Sequence, residues 1–398
     1  MRTLQLAVVS ALLSSPLPAP LIPGPNLAKR VELAESIVVA KVVSGTTRGF
    51  GSQVSSDIVL HVNRVLKGDL IPGTDVAAHL EGRGYFVVPT VKQSTITDQL
   101  YGIWFLGSTS RPYTVISRDG TYGEIHFAPV LLPEGAPAGS EGEKTETAVA
   151  NELAAALLWI AQIYPAQLRP DAQRNRTPEQ RTAAGRRLSQ FHSLVEDFRT
   201  LNSSATHAIY EQFAKEKSIP IRLAGIEGLI RANDPEGVKR AAMDWDDFAS
   251  AADIQPLISS LMSYSNADDE EAVRALGALS IRDPAEPGLR QSTVYALRAI
   301  HSKQALPALI ALLDDKEDRV RSYALSGLCL YVRNAPTVTP ESVPSMSWLQ
   351  SRPPTPLLNP ETQRYCLLGG MIDRATQDVY VSFWKSWWNQ HQVEIQGN

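Results

Sequence analysis

The hydrophobic positions of this chain follow a strand-like spacing in its first third and a helical one in the remainder. After a short helix expected at Leu27 to Ser36, Ile37 to Val43 is a dense β-branched run of strand type. In Asp57 to Val65 the apolar Ile58, Leu60 and Val62 alternate with Asp57, His61 and Asn63, with Val59 the one exception, and Lys67-Gly68-Asp69 then signals a turn. Further strands are expected at Asp75 to Leu80, Tyr85 to Val88, Gly102 to Leu106, Tyr113 to Ser117 and Gly123 to Phe127, with glycine, proline or serine at nearly every junction. Short strands at this density predict a β-rich domain over residues 26–131, a small antiparallel barrel or sandwich.

Residues 132–147, with Pro133, Gly135, Pro137, Gly139 and Gly142, read as a linker, and 148–398 as an α-helical domain. Helices are expected at Ala148 to Ile163, Pro178 to Leu201 and Ser204 to Lys217. A repeat follows. An apolar residue precedes Arg, and another apolar residue stands seven positions beyond that Arg, at Ile221-Arg222 with Leu229, Val273-Arg274 with Ile281, Leu289-Arg290 with Leu297, and Val320-Arg321 with Leu328. Seven residues are two turns on one helix face. The best-formed unit has helices at Leu289 to Ile300 and Ala305 to Leu313, then Asp314-Asp315 and a new helix near Arg319. Arg290 and Arg321 stand 31 residues apart, a period that marks stacked helix pairs.

This stretch resembles the HEAT family of helical repeats, in its lyase-type branch, over about residues 286–333, with further likeness at 219–243 and 268–281. The resemblance implies an α-solenoid, and places Asp315 and Arg321 in structural roles between neighbouring repeats. An Asp at that point also caps a helix and can pair with an Arg one repeat away. A proline-rich insertion at 335–360, which holds Trp348, interrupts the array; helix resumes at Glu361, and the last helix is expected at Thr376 to Gln390.

In the first domain the short helix, a strand with the tail Val42-Val43-Ser44-Gly45, a strand closing in Arg64-Val65-Leu66-Lys67-Gly68, and the later Gly102-Ile103-Trp104-Phe105-Leu106 form a pattern. It resembles the oligonucleotide/oligosaccharide-type barrels of netrin-like and tissue-inhibitor modules. The cysteines that staple the animal versions have no counterpart here.

Composition narrows the function classes. With 38 basic and 42 acidic residues the net charge is −4, so no field draws the chain to nucleic acid, and no nucleic-acid partner is expected. Met1, Arg2 and the apolar run Leu4 to Leu13, followed by proline-rich residues to Pro25, read as a signal segment over 1–25, placing the mature chain in the periplasm or outside the cell. The two cysteines, Cys329 and Cys366, can bridge in an oxidising compartment or serve as small buried apolar residues.

No catalytic signature is present. Gly49-Phe50-Gly51 and Gly82-Arg83-Gly84 lack the third glycine of a dinucleotide loop, and no phosphate-binding Gly-Lys-Ser/Thr loop, Gly-x-Ser-x-Gly elbow or His-Glu-x-x-His occurs. No cofactor and no metal are expected. His61, His79 and His126 fall on predicted strands, where an acid-base or metal site would have to assemble in space. Asp244, Asp246 and Asp247, and Asp268 to Glu271, suit helix N-termini. Arg174, Arg176, Arg181, Arg186 and Arg187 suit a solvated helix face or an anionic partner. Tyr380, Phe383, Trp384, Trp387 and Trp388 line one helix face, which either seals the end of the array or meets a partner or membrane surface. Trp348, Trp384, Trp387 and Trp388 are therefore the candidate partner-binding residues. The expected function is that of an exported, non-catalytic scaffold for a protein or peptide partner. The alternatives are an enzyme or enzyme inhibitor with its site on the β-domain, and a structural protein held to a membrane surface by its N-terminal segment or final helix.

Overall fold

The computed structural model describes residues 27–50, 53–83, 101–107, 113–114, 130–132, 135, 137–139, 145–163, 191, 193–198, 200–201, 204–248, 254–282, 287–344, 357–366 and 374–397. Two compact units result, one of residues 1–156 with 192–201, the other of 157–191 with 202–398.

In the first unit, helix α1 (Leu27–Leu33) leads into β1 (Ser36–Phe50), β2 (Gln53–Lys67), β3 (Asp75–Arg83), β4 (Tyr101–Leu106), β5 (Tyr113–Thr114) and β6 (Val130–Leu131). They form one sheet in the order β5-β3-β2-β1-β4-β6. All neighbours are antiparallel except β3 and β5. The expected barrel is not closed: among the described residues the sheet is open, with β5 and β6 at its edges. The strands expected at 85–88 and 123–127 lie outside the described residues.

The alternation read in β2 is the alternation observed. Ile58, Leu60 and Val62 are buried and join Val38, Ala40, Val42, Val76, Ala78, Trp104 and Leu106 in one core, while Asp57, Val59 and His61 are half-buried on the opposite face. β1 is different. Ile37 to Ala40 have no exposure at all, because this central strand is covered on both faces, which is why its apolar residues run on without polar interruption.

Beyond Ile37 and Val39 lie Ile103 and Phe105 of β4, also fully buried. Arg30 of α1 stands over the Phe105 ring, 4.6 Å from its centre, and its guanidinium meets Asp197 of the helical stretch 193–198 at 3.5 Å. The Leu27 amide donates to Thr200 Oγ1 at 3.2 Å, tying the start of α1 to the same stretch. Both charges are nearly sealed from water, so either one left alone would be strongly destabilising. A second buried carboxylate, Glu152, pairs with Arg64 of β2 and accepts from the Gly139 amide at 2.9 Å.

From α2 (Thr145–Ile163) onward the elements among the described residues are helical: α3 (Ser204–Phe213), α4 (Ile219–Arg231), α5 (Pro235–Met243), α6 (Trp245–Phe248), α7 (Ile254–Leu261), α8 (Glu270–Ser280), α9 (Pro287–Leu297), α10 (Leu306–Ala311), α11 (Asp318–Val332), α12 (Pro360–Arg364) and α13 (Arg374–Gly397). α4 packs on α3 and α5, α8 on α5 and α9, and α11 on α9 and α13. Two glycines allow the first of these contacts. A methyl group on Gly225 would strike the backbone of Phe213 and Ala214, and one on Gly228 the ring of Tyr210.

Three of the four repeat matches bury their distal residue: Leu229, Leu297 and Leu328 have no exposure. The fourth does not. Helix α8 stops at Ser280, so Ile281 becomes its C-terminal cap and is 54% exposed, while Leu279 fills the core instead. Arg274 of the same unit points to solvent, whereas Arg290 and Arg321 are buried.

Candidate functional site

The aromatic face of α13 is turned inward. Trp384, Trp387 and Trp388 are all buried, Trp384 completely. Its indole N–H donates to the Tyr365 carbonyl at 3.0 Å, and the Tyr365 ring stacks on Phe383 with centroids 4.1 Å apart. Trp387 stands edge-on to Trp384 at 5.3 Å and stacks with His391 at 4.9 Å. Tyr365 adjoins Cys366, which is joined to Cys329 of α11 in a disulfide with Cα atoms 4.9 Å apart. Trp348 lies outside the described residues, as do His126 and the arginines from 174 to 187.

Asp315 stands between two arginines of the repeat. Its Oδ1 accepts from the Glu317 amide at 2.9 Å, its Oδ2 lies 2.8 Å from Arg290 Nε, and its carbonyl accepts from Arg321 at 2.6 Å. Arg321 also reaches Asp318, and donates from Nε to Gln377 of α13 at 2.9 Å. The acidic clusters are likewise engaged. Asp246 pairs with Arg282 at 2.8 Å and Asp247 with Arg222 at 2.7 Å. Asp269 caps α8 by accepting from Ala272. That backbone donor, followed by the ammonium of Lys239, holds its carboxyl below the usual carboxylate range.

The sheet histidines do not converge. His61 meets Asp75, and His79 meets Asp57, each at 2.7 Å across the β2–β3 pairing. The two pairs are four residues apart along β2, about 13 Å of strand, so no shared centre forms between them.

A tighter group was hidden in the helical region. His207 and Glu211 occupy successive turns of α3, and Asp234 joins them from the start of α5. His207 Nε2 lies 3.1 Å from Asp234 Oδ2 and 3.6 Å from Glu211 Oε1. The three ligand-type atoms fall within 4.8 Å of one another. Local sequence explains the placement. α4 ends with Asn233 at φ 59, a left-handed conformation that Asn tolerates. There the Asn233 amide donates to Ile230 and the Asp234 amide to Leu229, both at 2.9 Å. Asp234 then caps α5 through Oδ1, which accepts from Glu236 at 2.8 Å. Its other oxygen is left facing His207.

A small pocket lies under the segment that follows α11, with Arg298, His301 and Tyr331 in its lining. Asn334, at φ 50, ends that helix in the same way. The next residues run back over Arg298 and His301: Val338 donates to the Ala299 carbonyl at 3.2 Å, the His301 amide to Thr337 Oγ1 at 2.9 Å, and Arg298 to the Pro340 carbonyl at 3.0 Å. The His301 ring stacks on Tyr331 at 4.9 Å. Burial lowers its pKa below the usual histidine value. Arg298 lies against the Tyr295 and Tyr323 rings, at 4.1 and 4.7 Å from their centres.

None of the helices is long and apolar enough to cross a membrane, among the described residues. No protein-family model matches the chain, and no curated protein or solved structure matches it either.

Proposed function

We propose that this chain is an exported, non-catalytic binding protein whose helical region stacks as a HEAT-like solenoid and offers its surface to a protein or peptide partner. The observation that carries this reading is Asp315, held by Arg290 on one side and by Arg321, 31 residues later, on the other. An arrangement that links equivalent arginines of successive units is what a repeat array uses to fix the step between neighbours. Extended arrays of this kind present long surfaces suited to macromolecules. Export is supported by the apolar N-terminal run and by the pairing of Cys329 with Cys366, since disulfides persist in oxidising compartments.

The test is crosslinking of the native protein in the envelope fraction, with partners identified by mass spectrometry. A stoichiometric protein partner, retained with the His61 and His79 variants and lost when surface residues of α4 to α11 are substituted, supports the scaffold. Recovery only with the β-domain, or turnover that depends on His61 or His79, would move the function to the sheet. The His–Asp pairs there favour that second reading, an enzyme or inhibitor site on the β-domain.

A further inference from the structure

We propose that His207, Glu211 and Asp234 form a binding site for a divalent transition metal of the zinc type, with one coordination position left open to solvent. This inference stands apart from the scaffold reading and needs only the helical region.

Geometry is the first argument. Zinc holds nitrogen and oxygen ligands at about 2.0–2.2 Å, so the edges of its tetrahedron are about 3.3–3.6 Å. The two edges from His207 Nε2 measure 3.1 and 3.6 Å. Small rotations of the side chains are enough to admit an ion.

The ligands are also held in place. Gly225 and Gly228 let α3 lie close against α4, which sets the His207–Glu211 face beside the turn that ends α4. The Glu236 amide fixes Asp234 Oδ1, so Oδ2 is aimed by a hydrogen bond, as second-shell partners aim metal ligands.

Charge is the second, independent argument. Among the described residues, no lysine or arginine lies within ion-pair distance of Glu211 or Asp234, and His207 is the one basic side chain there. The two carboxylates thus share one small space with the imidazole, the ligand-type atoms lying within 4.8 Å of one another. Nearby, the Tyr264 side chain is fully buried and its hydroxyl finds no hydrogen-bond partner. Burial first, and then the charges of Asp269, Asp234 and Asp268, push the pKa of that hydroxyl up. A cation at this place would balance both carboxylates.

An imidazole with two carboxylates suits zinc and its neighbours better than calcium or magnesium, which favour oxygen-only sets. The side chains of His207 and Glu211 are 40% and 52% exposed, so an ion has a path in and a solvent-facing position remains.

The experiment uses the untagged full-length protein, stripped with chelator and titrated with Zn2+ by calorimetry, with Co2+ as a spectroscopic probe. One equivalent of Zn2+ and the visible absorption of tetrahedral Co2+ are expected. Glu211→Gln, His207→Ala and Asp234→Asn, the last keeping a capping residue at the start of α5, should each weaken Zn2+ binding more than about tenfold, with the helical circular dichroism unchanged. Uptake that is substoichiometric, or equal in wild type and all three variants, means an adventitious ion only and overturns the proposal. So does binding of Ca2+ or Mg2+ in preference to Zn2+.

Discussion

Arg290 Nε and Asp315 Oδ2 lie 2.8 Å apart with both side chains more than nine-tenths buried, so this ion pair ties α9 to the turn before α11 inside the protein. Glu317 adds a weaker contact to the same guanidinium at 3.7 Å. Replacing Asp315 by Asn keeps a group that can cap the Glu317 amide but leaves a buried guanidinium short of its partner. Asp315→Asn should therefore cost about 3 kcal/mol in urea unfolding. Arg290→Met combined with Asp315→Asn should cost clearly less than the sum of the single changes, which a double-mutant cycle reads directly.

His301 makes stability depend on pH in a defined direction. Its pKa in the fold lies below the ordinary histidine value because burial disfavours the imidazolium. Below about pH 6.5 the unfolded chain binds more protons at this residue than the native one, so its contribution to stability falls as the medium is acidified. Urea midpoints between pH 5 and 8 should show this decline, and His301→Gln should flatten part of it. An unchanged profile in the variant would exclude the residue.

The Cys329–Cys366 bridge closes a loop of 37 residues that contains the proline-rich insertion. By chain-entropy reasoning a loop of that length is stabilised by about 3–4 kcal/mol. Reduction, or replacement of both cysteines by alanine, should lower the unfolding midpoint accordingly. The change should be felt first at α12 and α13, through Tyr365 and its contacts with Phe383 and Trp384, and hydrogen exchange of α13 is the local measurement.

Gly225→Ala places a methyl group against the backbone of Phe213 and Ala214, which cannot rotate away. Alanine has the better helix propensity by about 1 kcal/mol, but overpacking at such a contact costs about 1–3 kcal/mol. Net destabilisation is expected, with α3 pushed from α4 and Zn2+ affinity reduced alongside it.

How much of this could be read from the sequence varies with how local the signal is. β2 declared its inward face through Ile58, Leu60 and Val62, and the last helix declared one face through residues from Tyr380 to Trp388, because both patterns lie within a single element. Ile281 misled because the seven-residue spacing assumes an unbroken helix, and α8 stops one residue short. The open sheet was not legible either: closure depends on which edges pair, and alternation is the same in a barrel and in an open sheet. Only His207 and Glu211 shared a local spacing, one turn apart on α3; Asp234 arrives from another helix. The pairing of Asp315 with an arginine of the neighbouring unit was, by contrast, expected from the repeat, and Arg290, 25 positions upstream, is that partner.

The division of labour within Asp234 couples two events that are usually separate. One oxygen starts a helix and the other faces a histidine, so an ion held beside His207 would also act on the residue that caps the first turn of α5. That turn packs through Gly237 against Ile230, on the last turns of α4. Binding at the proposed site would then change how firmly two consecutive helices are joined, and amide exchange at Glu236 would report what occupies a site several residues away.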